Sequence, residues 1–485
     1  MKKISTARLF RRSTALAASL CLVGTAMLLG SCGGGGNPAD SQMNSSTLSG
    51  ASSQTVKSAL KKGADESLDL GGKTLSISVW GDPTPEGSDV YMDRRYALER
   101  RTEERYHVNI EWVATNTSTF TQDVTLAFTS GKKYADLIFA PSDYGFDLCR
   151  LGAVLPLDEY IDYSSPYYAV TGNNLLYVDG KHYSYMPDEY SPNNVGYFIT
   201  YNQTLLEQAG CENPSALYEQ GKWDWDALAK IVQQTTVLKD GEVTQWGIGG
   251  SNLLDALCIS NGFTMIGMDT QNKKFSCNLY TDAGINVLNF LKKLTYDYKG
   301  CDGNYGGHNS LITFGDSKTA LIVCPSYYPT NFIQKGMPVA SVPLPKGPDT
   351  TRYANGQELQ EWWMVSAISD FETKDLVQVA LDMNDNDPAF EDTYFSEEGM
   401  KQNFVTRAYD GCVFSTEEEA EFYYDFIRDE NVDKMLNIST SSLKSVMAEK
   451  VFTSIMKGEE PRTLLERVRP VIDESLKAML PDSLK

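Results

Sequence analysis

Cys32 is the residue of this chain whose neighbours place it for a covalent reaction. It follows Leu29-Gly30-Ser31 at the end of an apolar run, and the four residues resemble the bacterial lipobox, in which the thiol takes a diacylglycerol and becomes the mature N-terminus. Other reactive chemistry is thin. The three histidines, His107, His182 and His308, stand apart, with no H-E-x-x-H pair and no spacing that suits zinc. Asp382-x-Asn384-x-Asn386 imitates the start of a calcium loop, yet Asp387 stands where glycine is needed and Thr393 where the bidentate Glu belongs. A solvated acidic loop is the expectation there. Gly247-x-Gly249 lacks the third glycine and downstream acid of a dinucleotide site, and no G-x-S-x-G occurs. No catalytic constellation, no metal and no cofactor is expected.

What surrounds Cys32 gives it a place to work. Lys2, Lys3, Arg8, Arg11 and Arg12 precede an Ala- and Leu-rich segment from Thr14 to Leu29, the layout of a secretory signal over residues 1–31. Residues 32–68 are rich in Gly, Ser, Thr, Asn and Ala, and read as a lipid anchor with a flexible tether. Loss of residues 1–31 takes the formal charge from −21 to −26. Such acidity argues against nucleic acid and against electrostatic docking on anionic lipid, so the lipid itself must hold the protein at the outer face of the cell membrane. Seven cysteines remain, at 149, 211, 258, 277, 301, 324 and 412, odd in number and with no C-x-x-C pair. They suggest small buried apolar residues, with neither a disulfide framework nor a thiolate metal site.

More than 400 residues follow the tether, long for one core, and two lobes are expected. Thr74 to Trp80 alternates as a strand and runs into Gly81-Asp82-Pro83. Val90 to Arg105 has helical spacing, His107 to Trp112 reads as a second strand, Phe120 to Thr129 as a helix, and Asp136 to Ala140 as a buried third strand. Alternating strands and helices imply parallel βαβ units, whose ligands sit outside the carboxyl ends of the strands.

Five collinear segments carry a specific resemblance. They are Phe120 to Ile161 with Asp136-Leu-Ile-Phe and Pro156-Leu-Asp158, Gly180 to Gly210 with Tyr201-Asn202, Trp223-Asp-Trp-Asp-Ala-Leu, Phe314 to Gly347 with Val342-Pro-Leu-Pro, and Trp363 to Ile368. In that order they resemble the extracellular solute-binding proteins of carbohydrate ABC importers. The resemblance implies an α/β, two-lobe periplasmic-binding-protein-like fold of type II, with discontinuous lobes that close on a hinge over a sugar. It implies a first lobe from residues 69–198 plus 343–384 and a second from 199–342 plus 385–485 with C-terminal helices. Crossings are implied near Tyr197–Asn202, near Val342–Pro345 and between Asp382 and Gly399, with Tyr201 and Asn202 packing the hinge. Beyond Asp382 the chain departs from the family, and residues 384–398 look like an insertion.

Sugar recognition needs flat aromatic faces for C–H patches and acids or amides for hydroxyls. The resemblance then points to Trp80 and Asp82 after the first strand and Asp143 and Tyr144 after the third. In the second lobe it points to Asn261, and to Tyr327 and Tyr328 after the run Leu321–Cys324. Trp362 and Trp363 precede the strand through Ile368; being adjacent, their rings take opposite faces, with Trp362 expected at the cleft and Trp363 in the core. Trp112, Trp223 and Trp225 are expected to be structural. Two other classes stay open on the sequence, an exported carbohydrate-active enzyme and a binder of peptide or another small solute. The expected partners are a carbohydrate and the permease of an ABC transporter, with the protein itself a monomer. Cys32→Ser is expected to abolish lipid labelling and to release the protein or leave it unprocessed. An acyl label and membrane fractionation retained by that variant would overturn the lipobox reading.

Overall fold

A computed structural model describes residues 67–80, 99–116, 119–163, 177–178, 180–185, 196–269, 274–305, 309–324, 328–357, 361–385, 397–436 and 441–479. Cys32 with the signal and tether, Asp82 and Tyr327 lie outside the described residues.

The first part of the chain gives β1 (Thr74–Trp80), β2 (Asn109–Thr115), α1 (Phe120–Thr129), β3 (Leu137–Pro141) and α2 (Ser142–Leu151). The next gives β4 (Phe198–Asn202), α3 (Gln203–Gln208), α4 (Trp225–Thr235), β5 (Val237–Lys239), β6 (Glu242–Gly249) and α5 (Leu253–Ser260). Then follow β7 (Ile266–Asp269), β8 (Lys274–Cys277), α6 (Asp282–Lys292), α7 (Asn309–Gly315), β9 (Thr319–Cys324) and β10 (Val339–Pro343). The last are β11 (Ala354–Gln357), β12 (Glu361–Val365), α8 (Thr373–Asp385), α9 (Glu397–Asp410), α10 (Glu417–Arg428), β13 (Asp433–Leu436) and α11 (Pro461–Ala478).

Two sheets organise these elements. The first has the order β12-β3-β1-β2, parallel except for β12, as βαβ units require. The second has the order β10-β4-β9-β6-β5, in which β9 and β6 are parallel and β4 is antiparallel to both of its neighbours. Helices α9 and α10 add an aromatic cluster of Phe404, Phe414, Tyr423 and Tyr424 against Phe198 and Ile322 of the second sheet. Six of the seven body cysteines are buried, as expected, and Cys211 is half-buried. Burial pushes the thiols of Cys277 and Cys324 up to about 12, so they stay protonated and unreactive.

Three expectations shift. β2 opens at Asn109 instead of His107, because His107 takes left-handed backbone (φ 46°) and its ring meets Asp69, Nδ1 to Oδ1, at 3.0 Å. Trp362 and Trp363 lie inside β12 instead of ahead of it. The acid that opens the calcium-loop mimic belongs to a helix, α8. There Asp382 is fully buried and accepts Arg105 Nη1 on both carboxylate oxygens at 2.7 Å. Arg101 also donates to its carbonyl oxygen at 3.0 Å. Asp382→Ala is expected to cost about 3 kcal/mol in urea unfolding, the low end for a broken buried pair because Arg105 keeps some solvent. A change below about 0.5 kcal/mol would show that the helix does not depend on this pair.

Candidate functional site

Strand register defines one rim on each sheet. In the second sheet Phe198 pairs with both Pro343 and Cys324, and Ile322 pairs with Gly249. The start of β4 and the ends of β10, β9 and β6 therefore share a rim. In the first sheet Trp80 pairs with Thr115 and Glu361 with Pro141, so the ends of β1, β2 and β3 share a rim with the start of β12. The chain passes between the sheets before Phe198 and between Pro343 and Glu361. Both passages use these rims, which are the carboxyl ends where α/β proteins take ligands. The halves also touch: the rings of Phe146 in α2 and Phe275 in β8 meet edge to face, 5.5 Å apart.

On the first rim, Trp80 closes β1 opposite Thr115. Asp143 and Tyr144 stand in the first turn of α2. Tyr144 is half-buried, its ring edge-on to Phe120 at 5.2 Å. Trp362 and Trp363 do take opposite faces, but both are buried. Trp362 is 0% exposed and packs in the larger core with Met364, while Trp363 lies in a second cluster with Val365. Trp363 rests against Phe139 at 5.3 Å and exchanges two main-chain hydrogen bonds with Tyr185. A cleft-facing Trp362 that could be removed without cost to the fold is therefore corrected.

On the second rim, two further residues serve the fold. Asn261 is buried, its Oδ1 accepting from Asp349 N at 3.0 Å and its Nδ2 donating to Asp349 Oδ2 at 2.7 Å. Its amide fastens the loop after β10, leaving little of it for a ligand. Tyr328 is buried in the aromatic cluster with Phe198 and Phe314, and so is placed as core. Tyr201 donates to Asn213 Oδ1 at 3.2 Å, and Asn202 caps α3 by accepting from Leu205 N. The three tryptophans expected to be structural are so. Trp112 Nε1 donates to Glu99, Trp223 Nε1 to the carbonyl of Pro343 at 2.7 Å, and Trp225 stacks on Phe290.

Sequence reasoning passed over the residues that the second rim assembles most tightly. Asp302 accepts Gly250 N and Ser310 Oγ on Oδ1, and Thr313 Oγ1 on Oδ2, each at 2.9 Å. Beside it Tyr305 donates to Asp255 Oδ2 at 2.6 Å and stacks on Phe452 at 4.8 Å. The fit at Gly250 is close: a Cβ there would lie 3.0 Å from Cys301 Sγ and 3.2 Å from Phe452, so these side chains would have to give by a few tenths of an ångström. The legible signal was an aromatic inside Gly303-Asn304-Tyr305-Gly306-Gly307. Among the described residues no group of three or more His, Cys, Asp or Glu is placed to hold a metal ion.

Residues 93–295 match the family described as bacterial extracellular solute-binding protein. Over that stretch, a little under half of its length, the chain is similar to this family. Its members are binding proteins, not enzymes. Among solved structures the fold is similar to the Listeria monocytogenes substrate-binding protein Lmo0181 in complex with cycloalternan (TM-score 0.57, 12% identity, 84% of this chain and 99% of that one). It is also similar to the cyclic alpha-maltosyl-1,6-maltose binding protein of Arthrobacter globiformis (0.58, 14%, 84% and 100%). A third is MalE of Bdellovibrio bacteriovorus bound to maltotriose (0.54, 15%, 83% and 100%). A comparison with curated proteins gives no match. At these identities the likeness carries the two-lobe binding-protein fold, and the α/β class expected from the sequence is the one observed.

The β12 tryptophans are buried on both faces of the first sheet. Trp362→Ala and Trp363→Ala are each expected to lower stability by roughly 3–5 kcal/mol, the usual penalty for emptying a core Trp site. Chemical denaturation checks this; a Trp362→Ala protein as stable as the wild type would return that side chain to the groove.

Proposed function

We propose that the protein captures a sugar or oligosaccharide in the groove between the two rims and delivers it to the permease of an ABC transporter. It does so at the extracytoplasmic face of the cell membrane, held there by a diacylglycerol on Cys32. The observation that supports this reading is the register that puts the chain's passages between the sheets at the carboxyl-end rim of each, in a chain whose residues 93–295 match this family. The sugars bound by the structural relatives support the class of ligand. We assign the first lobe to residues 69–198 with 343–384 and the second to 199–342 with 385–485. The crossings at Tyr197–Asn202 and Val342–Pro345 then form the hinge, packed by Tyr201 and Asn202. Trp80, Asp82, Asp143, Tyr144 and Tyr327 remain the expected contacts from the rims. Closure needs a few residues at the crossings to change φ and ψ while both lobes stay rigid.

A thermal-shift panel of maltotriose, cellotriose, xylotriose and their monosaccharides tests the reading. A ligand bound only by the folded state at a hundred times its Kd adds about 2.7 kcal/mol and raises the melting temperature. The sugar that does so should also shrink the radius of gyration in small-angle scattering without changing secondary structure. No shift with any sugar, or steady release of reducing ends from an oligosaccharide, would overturn it.

A further inference from the structure

The second rim presents an aromatic ring held in two ways. Residues 300–302 run beside β6, with Ile248 N donating to Gly300 O at 2.9 Å and Asp302 N to Ile248 O at 3.4 Å. Tyr305 therefore emerges just past Gly249, at the carboxyl end of β6, on the side where the chain crosses between the sheets. Phe452 is buried and lies against its ring at an interplanar angle of 22°. Asp255, also buried, takes the phenolic hydrogen at 2.6 Å, which fixes the rotation of the ring. Tyr305 itself is half-buried, packed in part against the core.

The supports belong to separate parts of the chain. Asp255 lies in the first turn of α5, directly after the Gly249-Gly250 loop. Phe452 closes a π-helical turn, Met447–Phe452, a geometry that aims one extra residue out of an otherwise regular helix. Asp302 holds the Gly250 backbone and α7 together, so the loop that carries Tyr305 is anchored at its base. The ring packs in part against the core and is held at both its face and its hydroxyl. Such fixing suits a binding platform, because an aromatic fixed before the ligand arrives loses little side-chain freedom on binding.

We infer that Tyr305 is the pyranose-stacking platform of the second lobe, with Phe452 as its backing and Asp255 as its positioning residue. The apolar C–H face of a hexose ring fits a fixed phenol. This rests on the sugar-binding reading above. The test is calorimetric titration of whichever panel sugar the wild type binds best. Tyr305→Ala should weaken affinity by about tenfold or more, while Tyr305→Phe, which keeps the ring, should stay within about threefold. Asp255→Asn should fall between them at an unchanged circular dichroism spectrum. If Tyr305→Ala does not fold, Tyr305→Trp decides, since the added indole emission should change as sugar saturates. Wild-type binding with Tyr305→Ala within twofold of it, or indole emission indifferent to sugar, overturns the inference alone. A wild type that binds no sugar of the panel overturns the parent reading and this inference with it.

Discussion

Strand β4 is hydrogen-bonded along both edges, to β10 and to β9, and all five of its residues are buried. Its register with β10 runs from Asn202 opposite Val339 to Phe198 opposite Pro343. A slip of one residue would exchange the side chains of Ile199 and Tyr201 with those of Phe198 and Thr200 between the two faces of the sheet. The pairing also sets two passages between the sheets side by side. Immediately beyond them the chain is fastened: the Asn202 side chain caps α3, and the carbonyl of Pro343 accepts the indole N–H of Trp223.

Each half is stiffened by a carboxylate that ties separate segments, fully buried in the first half and partly buried in the second. In the first, Asp136 is fully buried and accepts from Ser76 N, Ser76 Oγ, Ser369 Oγ and Lys133 Nζ at 2.6–3.0 Å. It links β1 to the segment after β12, two stretches far apart in sequence. In the second, Asp302 does the same for the Gly250 loop and α7. A buried charge without partners costs several kcal/mol, so these donors hold their segments in one arrangement.

The βαβ framework was legible because its signals are local: alternation along β1, the apolar run of β3, and the helical spacing of Phe120–Thr129. The site was less legible. Trp362 looked like a platform because adjacent tryptophans in a strand must face opposite ways, which they do. Nothing local says that both faces of β12 are covered, since α8 and the larger core come from other parts of the chain. Asn261 looked like a free amide, and only the fold brings Asp349 to it. Tyr305 was overlooked for the converse reason. Its partners Asp255 and Phe452 lie far from it in sequence, and a tyrosine among glycines reads as a loop until both are in place.

The contact between Phe146 and Phe275 bears on the proposed closure of the two lobes. An edge-to-face aromatic pair contributes about 0.5–1.5 kcal/mol beyond its buried area. Moving a two-state equilibrium from 1:99 to 99:1 takes about 5.5 kcal/mol. The pair can bias the halves toward each other, but it cannot lock them. The difference has to come from a molecule that touches both rims at once, because contacts made to one rim alone are equally strong open or closed and shift nothing. A platform on the second lobe is therefore useful only with polar contacts facing it from the first. That demand favours an extended, many-hydroxyl ligand over a small one that a single rim could hold.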